Sequence, residues 1–287
     1  MTSSSPSVSD ITEITHLQLI IKYGKSTLLA KALGDAKAAA RAEGLRFPHS
    51  NFQPTGRYAK KGTPLTITVS PSISGLEVVI GQYGVYANLN NGVSTQPISH
   101  SLNAGANRIV APIDGMVYIQ NRRSSGDAFV EIEGGYPIPT FIKGVTTRDE
   151  FNLQILQWNL APFIELIGEY IHANFQYAKA VIDLIAQPTN LDRRIAMMDE
   201  VVAYTNAHFG LSRYALDCAH KSSHYMYIAN PDEGAGYASA TSYRITFQIS
   251  TGAGTTILVG SENDQFGLYH EVGHTYQMNE NRWSGLG

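Results

Sequence analysis

The hydrophobic period changes near residue 140, and that change limits the folds open to this chain. From Lys61 to about Gly135 the apolar and β-branched residues come in short runs, among them Leu65-Thr66-Ile67-Thr68-Val69, Leu76-Glu77-Val78-Val79-Ile80, Arg108-Ile109-Val110, Met116-Val117-Tyr118-Ile119-Gln120 and Phe129-Val130-Glu131-Ile132. Glycines, prolines and Asn90-Asn91-Gly92 separate them. Short strands at close spacing predict a β-sandwich. Tyr136-Pro137-Ile138-Pro139-Thr140-Phe141 reads as a junction, and beyond it the spacing turns helical over 148–158, 161–173, 175–186 and 191–209. Pro162 suits a first helical turn, Pro188 a stop, and Asn190 and Gly210 the two caps of the last helix. Strands are expected again at 225–228, 243–249 and 255–259, with a flexible loop at 230–237. Upstream, residues 1–12 read as mobile and 13–41 as helical, with Ile14, Leu17, Ile20 and Ile21 on one face and Gly24 and Gly34 breaking the run. The expected division is an N-terminal helical or extended segment over 1–44, a β-sandwich over 45–140 and an α/β domain over 141–287.

Composition excludes several functions. Charged residues make up 16% of the chain and the net charge is −3, with no basic run longer than Lys60-Lys61 or Arg122-Arg123, so nucleic acid is not an expected partner. No apolar stretch is long enough for a membrane span. The first residues have neither the charged nor the apolar region of a Sec signal. Cys218 is the single cysteine, which excludes an intrachain disulfide and a Cys-rich metal site; it is expected in the core.

The chemistry-bearing motif is His270-Glu271-Val272-Gly273-His274. On a helix, histidines four residues apart share a face one turn apart, and two imidazoles so placed can bind one Zn²⁺. Glu271 follows the first histidine, where a carboxylate can act as general base on the zinc-bound water and pass the proton to a leaving amine. Phe266, Leu268 and Tyr269 are expected to seat this helix, with the 255–259 strand before it. In zinc peptidases an edge strand of a sheet above the helix can pair with an extended substrate, and 243–249 or 255–259 is the expected edge. His220 and His224 repeat the four-residue spacing but lack the glutamate and fall in a loop-like stretch. Glu169 and His172 form one Glu-x-x-His where di-iron bundles need two, and read as the polar edge of a helix. Gly24-Lys25-Ser26 and Gly252-Ala253-Gly254 lack the further glycines of phosphate loops, and read as a helix break and a turn before a strand.

Three stretches together resemble the M60-like, or enhancin-like, family of zinc peptidases: His270-Glu271-Val272-Gly273-His274-Thr275-Tyr276-Gln277, Glu133-Gly134-Gly135-Tyr136-Pro137-Ile138-Pro139-Thr140-Phe141, and Ala161-Pro162-Phe163-Ile164-Glu165-Leu166-Ile167-Gly168. The resemblance spans roughly residues 45–287. It implies an α+β multidomain chain, a β-sandwich followed by a zincin-like (gluzincin) catalytic domain. It implies a secreted or cell-surface zinc endopeptidase acting on O-glycosylated, mucin-like proteins, with His270 and His274 as ligands and Glu271 as base. The family's third ligand is a later glutamate. Only Glu280 follows His274 here, six residues on and off the histidine face if the helix continues, so the catalytic domain is expected to be cut short with its third ligand beyond Gly287. Tyr237 and Tyr276 are the candidates for substrate contact. The alternatives are a non-catalytic glycan- or glycoprotein-binding protein, an inactive fragment of such a peptidase, and a zinc hydrolase of another bond.

Overall fold

A computed structural model describes residues 18–71, 73–233 and 236–277. Strands β1 (Leu19–Ile21) and β2 (Lys25–Ala30) form a hairpin and are followed by helix α1 (Ala36–Glu43). Then come β3 (Gln53–Ala59), β4 (Pro64–Ser70), β5 (Leu76–Ile80), β6 (Ile98–Leu102), β7 (Gly105–Val110), β8 (Gly115–Asn121), β9 (Ala128–Glu133) and β10 (Tyr136–Pro137). They make two antiparallel sheets, β1-β2-β9-β4-β7 and β10-β3-β8-β5-β6. The helical reading of 13–41 is therefore corrected. From Leu19 to Ala30 the chain is a two-stranded hairpin, Ile20 is exposed, and only Ala36–Glu43 is helix; residues 13–17 lie outside the described residues.

The first sheet has one wet face. In β4, Leu65, Ile67 and Val69 are buried while Pro64, Thr68 and Ser70 are exposed, the period of two expected of a half-buried strand. The second sheet is covered on both faces. Every residue of β8 is buried: Val117 and Ile119 pack against the first sheet, Met116 and Tyr118 against the α/β domain.

The α/β domain contains β11 (Thr140–Ile142), α2 (Arg148–Gln157), β12 (Phe163–Ile167), β13 (Ile171–Gln176), α3 (Tyr177–Ala186) and α4 (Leu191–His208), then β14 (Leu211–Ser212), β15 (Ala219–His220), β16 (Met226–Ala229), β17 (Ala238–Thr241), β18 (Arg244–Phe247), α5 (Ala253–Val259) and α6 (Phe266–Tyr276). Its sheet has the order β11-β12-β13-β16-β18-β17, with antiparallel pairing only at β12-β13 and β17-β18. One face meets helices α3 to α6 through Ile164, Leu166, Phe175, Ile228 and Phe247. The other meets the sandwich through an aromatic layer in which Phe52 and Tyr118 stack with centroids 4.5 Å apart.

That sandwich-facing side also holds a buried polar network. The Glu165 carboxylate meets His172 Nε2 at 2.9 Å and accepts from Asn174 Nδ2 at 3.2 Å; the Tyr118 hydroxyl of β8 donates to Asn174 Oδ1 at 3.0 Å. Buried polar groups must be paired, and this pairing joins the two domains. It also explains a second correction. The stretch 161–173 is not a helix but β12 and the start of β13. Ile164, Ile167 and Ile171 fall at helical spacing, while Glu165 and His172 are the buried side of a strand pair rather than a solvent face.

Residues 255–259 are likewise not a strand but most of α5, entered through Gly252 at φ 75. At Gly254 an added Cβ would clash with Asn230 Nδ2, and that amide donates to Phe247 O at 2.8 Å. Gly254→Ala is expected to displace Asn230 and cost about 1–3 kcal/mol, read from the urea midpoint.

The stretch between α1 and β3 fastens the domains near the end of α6. Thr275 O accepts from the backbone N–H groups of Arg46 and Phe47 at 3.1 and 3.2 Å, so one late carbonyl of α6 finds two donors outside the helix. Beside it lie the buried pair Glu43–Lys221 and the buried His224, whose Nε2 meets Gly34 O at 3.2 Å. Burial holds the His224 imidazole down to about 4. Between that value and the ordinary ~6.5 the unfolded chain binds a proton that the folded chain refuses, so stability falls as pH drops through this window by roughly 1.4 kcal/mol per unit. Unfolding midpoints at pH 7 and pH 5 are expected to differ less in His224→Gln than in the parent.

Candidate metal and catalytic site

Helix α6 is held by one face and offers the other. Leu268, Val272 and Tyr276 recur every four residues and are fully buried in the helix-side core. The entry is fixed by Gln265, whose Nε2 donates to Thr256 O at 2.9 Å and Ser261 O at 3.0 Å. The expectation that Phe266 and Tyr269 seat the helix is corrected: both are exposed, and Leu268 does that work with Val272.

On the open face, His270 and His274 turn their Nε2 atoms to within 2.9 Å of each other, their rings edge-to-face at 4.4 Å. Glu271 is buried at 5% exposure, and its Oε2 has no hydrogen-bond partner. Burial raises the Glu271 carboxyl above its usual range, with His270 opposing. Burial, then the charge of His270, lowers His274, which favours the neutral imidazole a metal needs. A cavity of about 390 Å³ opens over His270 and Glu271, lined also by Tyr237, Ala238, Asp264, Phe266 and Gly267.

This donor set fits a zinc ion. Two ligands ~2.0–2.1 Å from one tetrahedral zinc stand roughly 3.3 Å apart, so the imidazoles need part by only a few tenths of an ångström. An unpartnered carboxylate follows directly in sequence. Among the described residues no third His, Cys, Asp or Glu joins the pair, and Glu280 lies outside the described residues.

The other candidates separate clearly. Tyr237 shares the cavity with His270 and Glu271, whereas Tyr276 is buried with its hydroxyl on Asn206 Oδ1 at 2.6 Å and cannot reach a substrate. Glu169 and His172 belong to a strand pair and its turn, not to a helix edge, and His172 is taken by Glu165. His220 is exposed and His224 buried, so they do not act as a pair. Cys218 is exposed, not core. The expected edge strand is also corrected. Residues 255–259 are helix, β18 is internal, and the edge beside α6 is β17, which lies between the loop expected at 230–237 and the strand expected at 243–249. The alternation Ala238-Ser239-Ala240-Thr241 just before Arg244-Ile245-Thr246-Phe247 is the hairpin signal that identifies it.

Residues 134–287 match the family described as Peptidase M60, enhancin and enhancin-like, and residues 34–133 match the N-terminal domain of M60-like peptidases. The chain belongs to the M60 family. Among solved structures it is similar to a functionally unknown conserved protein from Bacillus anthracis, at 24% identity and TM-score 0.80, covering 91% of this chain and 52% of that one. It is similar to the catalytic module of the metalloprotease ZmpA from Clostridium perfringens, at 18% identity and TM-score 0.72, covering 88% and 54%. It also matches the M60 catalytic domain of ZmpC from the same organism, solved in complex with the sialyl T antigen, at 15% identity and TM-score 0.74, covering 90% and 54%. This M60 chain thus spans about half the length of the solved structures it matches. No curated protein matches it. The fold of an N-terminal β-domain followed by an M60 α/β catalytic domain is shared with these structures.

Proposed function

We propose that this chain forms the metal-binding part of a zinc-dependent endopeptidase that hydrolyses peptide bonds in O-glycosylated, mucin-like proteins. The observation that carries the reading is the converging Nε2 pair of His270 and His274 beside the buried, unpartnered carboxylate of Glu271. Family membership and metallopeptidase relatives support it, and the glycan bound to ZmpC supports a glycoprotein substrate. We place the enzyme outside the cell or at its surface, and divide the chain near residue 140 into accessory and peptidase parts. No helix among the described residues is long and apolar enough to cross a membrane.

His270 and His274 would hold the metal, and a third ligand would come from outside the described residues; Glu280 is the weaker candidate for it, because a continuing helix turns it off the histidine face. Bound zinc supplies a Lewis acid for the scissile carbonyl and lowers the pKa of the attacking water. Glu271 takes the proton of that water and delivers it to the leaving amine; its raised pKa brings it nearer the range where a carboxyl both accepts and releases a proton. The free edge of β17 pairs with the extended substrate, which main-chain hydrogen bonds hold above α6. A glycan-binding role without catalysis leaves the burial of an unpartnered Glu271 without a purpose.

The test is exposure of a mucin-type glycoprotein to the zinc-loaded chain, with product N-termini sequenced. New N-termini that vanish on chelation are expected. Cleavage that survives chelation, or intact substrate when a chain that also carries the third ligand is saturated with zinc, overturns the proposal.

A further inference from the structure

The β17-β18 hairpin has two faces. Its register pairs Ala238 with Phe247 and Ala240 with Ile245 on the helix side, and Ser239 with Thr246 and Thr241 with Arg244 on the sandwich side. A cavity of about 510 Å³ lies on the second side, where the hairpin meets the segment joining β5 to β6. Tyr83 comes from that segment, and Glu233 also lines the space. The junction is built from both domains: Val85 O accepts from Asp232 N at 2.9 Å, and Tyr243 N, in the hairpin turn, donates to Pro48 O at 2.8 Å.

Arg244 is the unusual member. Its guanidinium is half-buried and stands 5.9 Å from the centre of the Tyr83 ring. Among the described residues no carboxylate, Glu233 included, lies within ion-pair distance of it, and its side chain donates no hydrogen bond. A half-desolvated guanidinium fork offers paired donors that match a carboxylate, and the aromatic face beside it helps to orient the fork. Hydroxyl groups of Ser239, Thr241 and Thr246 surround it, able both to donate and to accept. Edge-strand pairing supplies the ligand's route: in a peptide added to β17, alternate side chains point toward α6 and toward this cavity.

We propose that this cavity is a substrate subsite that takes a carboxylate carried on the side of the bound chain facing away from the metal-binding histidines, with Arg244 as its anion-binding group. It rests on the edge-strand reading above. The carboxylate has two possible carriers, an acidic sugar of a glycan branch or an acidic amino-acid side chain.

The experiment measures binding to the chain by NMR titration with two matched pairs of probes. N-acetylneuraminic acid is compared with its methyl ester, and a short extended peptide containing Glu with the same peptide containing Gln. At least one acid is expected to bind at least tenfold more tightly than its neutral partner, with that preference lost in Arg244→Gln and partly kept in Arg244→Lys. Preference for the sugar acid assigns the site to a glycan branch, and preference for the Glu peptide to the protein backbone's own side chains. No preference for either acid, or a preference unchanged in both Arg244 variants, overturns the proposal. Zinc binding and cleavage of a neutral glycoprotein stay intact in Arg244→Lys, so loss of this subsite and failure of the peptidase reading are told apart.

Discussion

Glu271→Gln is expected to leave zinc binding intact and to reduce cleavage of an O-glycoprotein by about 10²–10⁴-fold, the range for removing a positioned general base. The substitution keeps the volume of a side chain that is 5% exposed, so the fold is disturbed little. It removes the proton-accepting oxygen while His270 and His274 keep their imidazoles. Zinc content and turnover should therefore separate in this variant, whereas His270→Ala and His274→Ala lower both. Equal turnover in Glu271→Gln and the parent would sink the mechanism, whatever the metal content.

A comparable effect on stability is expected from Lys221→Met. Lys221 and Glu43 meet at 2.8 Å with side chains 1% and 3% exposed. Burial pulls the ammonium's pKa down, and Glu43 opposes it. Glu43 also accepts from the Ser222 backbone N–H, so this one carboxylate ties α1 to the segment before β16. Removing only the cation leaves a buried, uncompensated charge and is expected to cost about 3–5 kcal/mol. Replacing both partners with apolar residues is expected to recover much of that loss. The check is a double-mutant cycle on urea unfolding; additive effects would show that the pair is not coupled. The same region binds the end of α6 through Arg46 and Phe47, so Lys221→Met is also expected to weaken zinc binding.

Where one face of an element is wet, its sequence reveals it. Leu65, Ile67 and Val69 alternate with polar neighbours because the first sheet has solvent on its far side. The same holds for α4, whose Asn190 cap is visible in the sequence and accepts from Arg193 N at 3.0 Å. Elements covered on both faces are harder to read. In β12 and β13 the polar residues Glu165, His172 and Asn174 are buried against the sandwich, so polarity no longer marks the outside. Thr255-Thr256-Ile257-Leu258-Val259 carries strand-forming residues into a helix because its contacts with α3 and α6 override local preference. At the site, the four-residue spacing was enough to bring the two histidines together. The cavity beside them was not legible, since Tyr237 and Ala238 reach it through strand pairing far from the motif.

The most direct measurement is a zinc titration of the purified chain beside its His270→Ala and His274→Ala variants, counting bound metal per chain. The account predicts that the parent takes up at most one zinc per chain and that each variant binds it at least tenfold more weakly. Zinc bound as tightly by both variants as by the parent would contradict it.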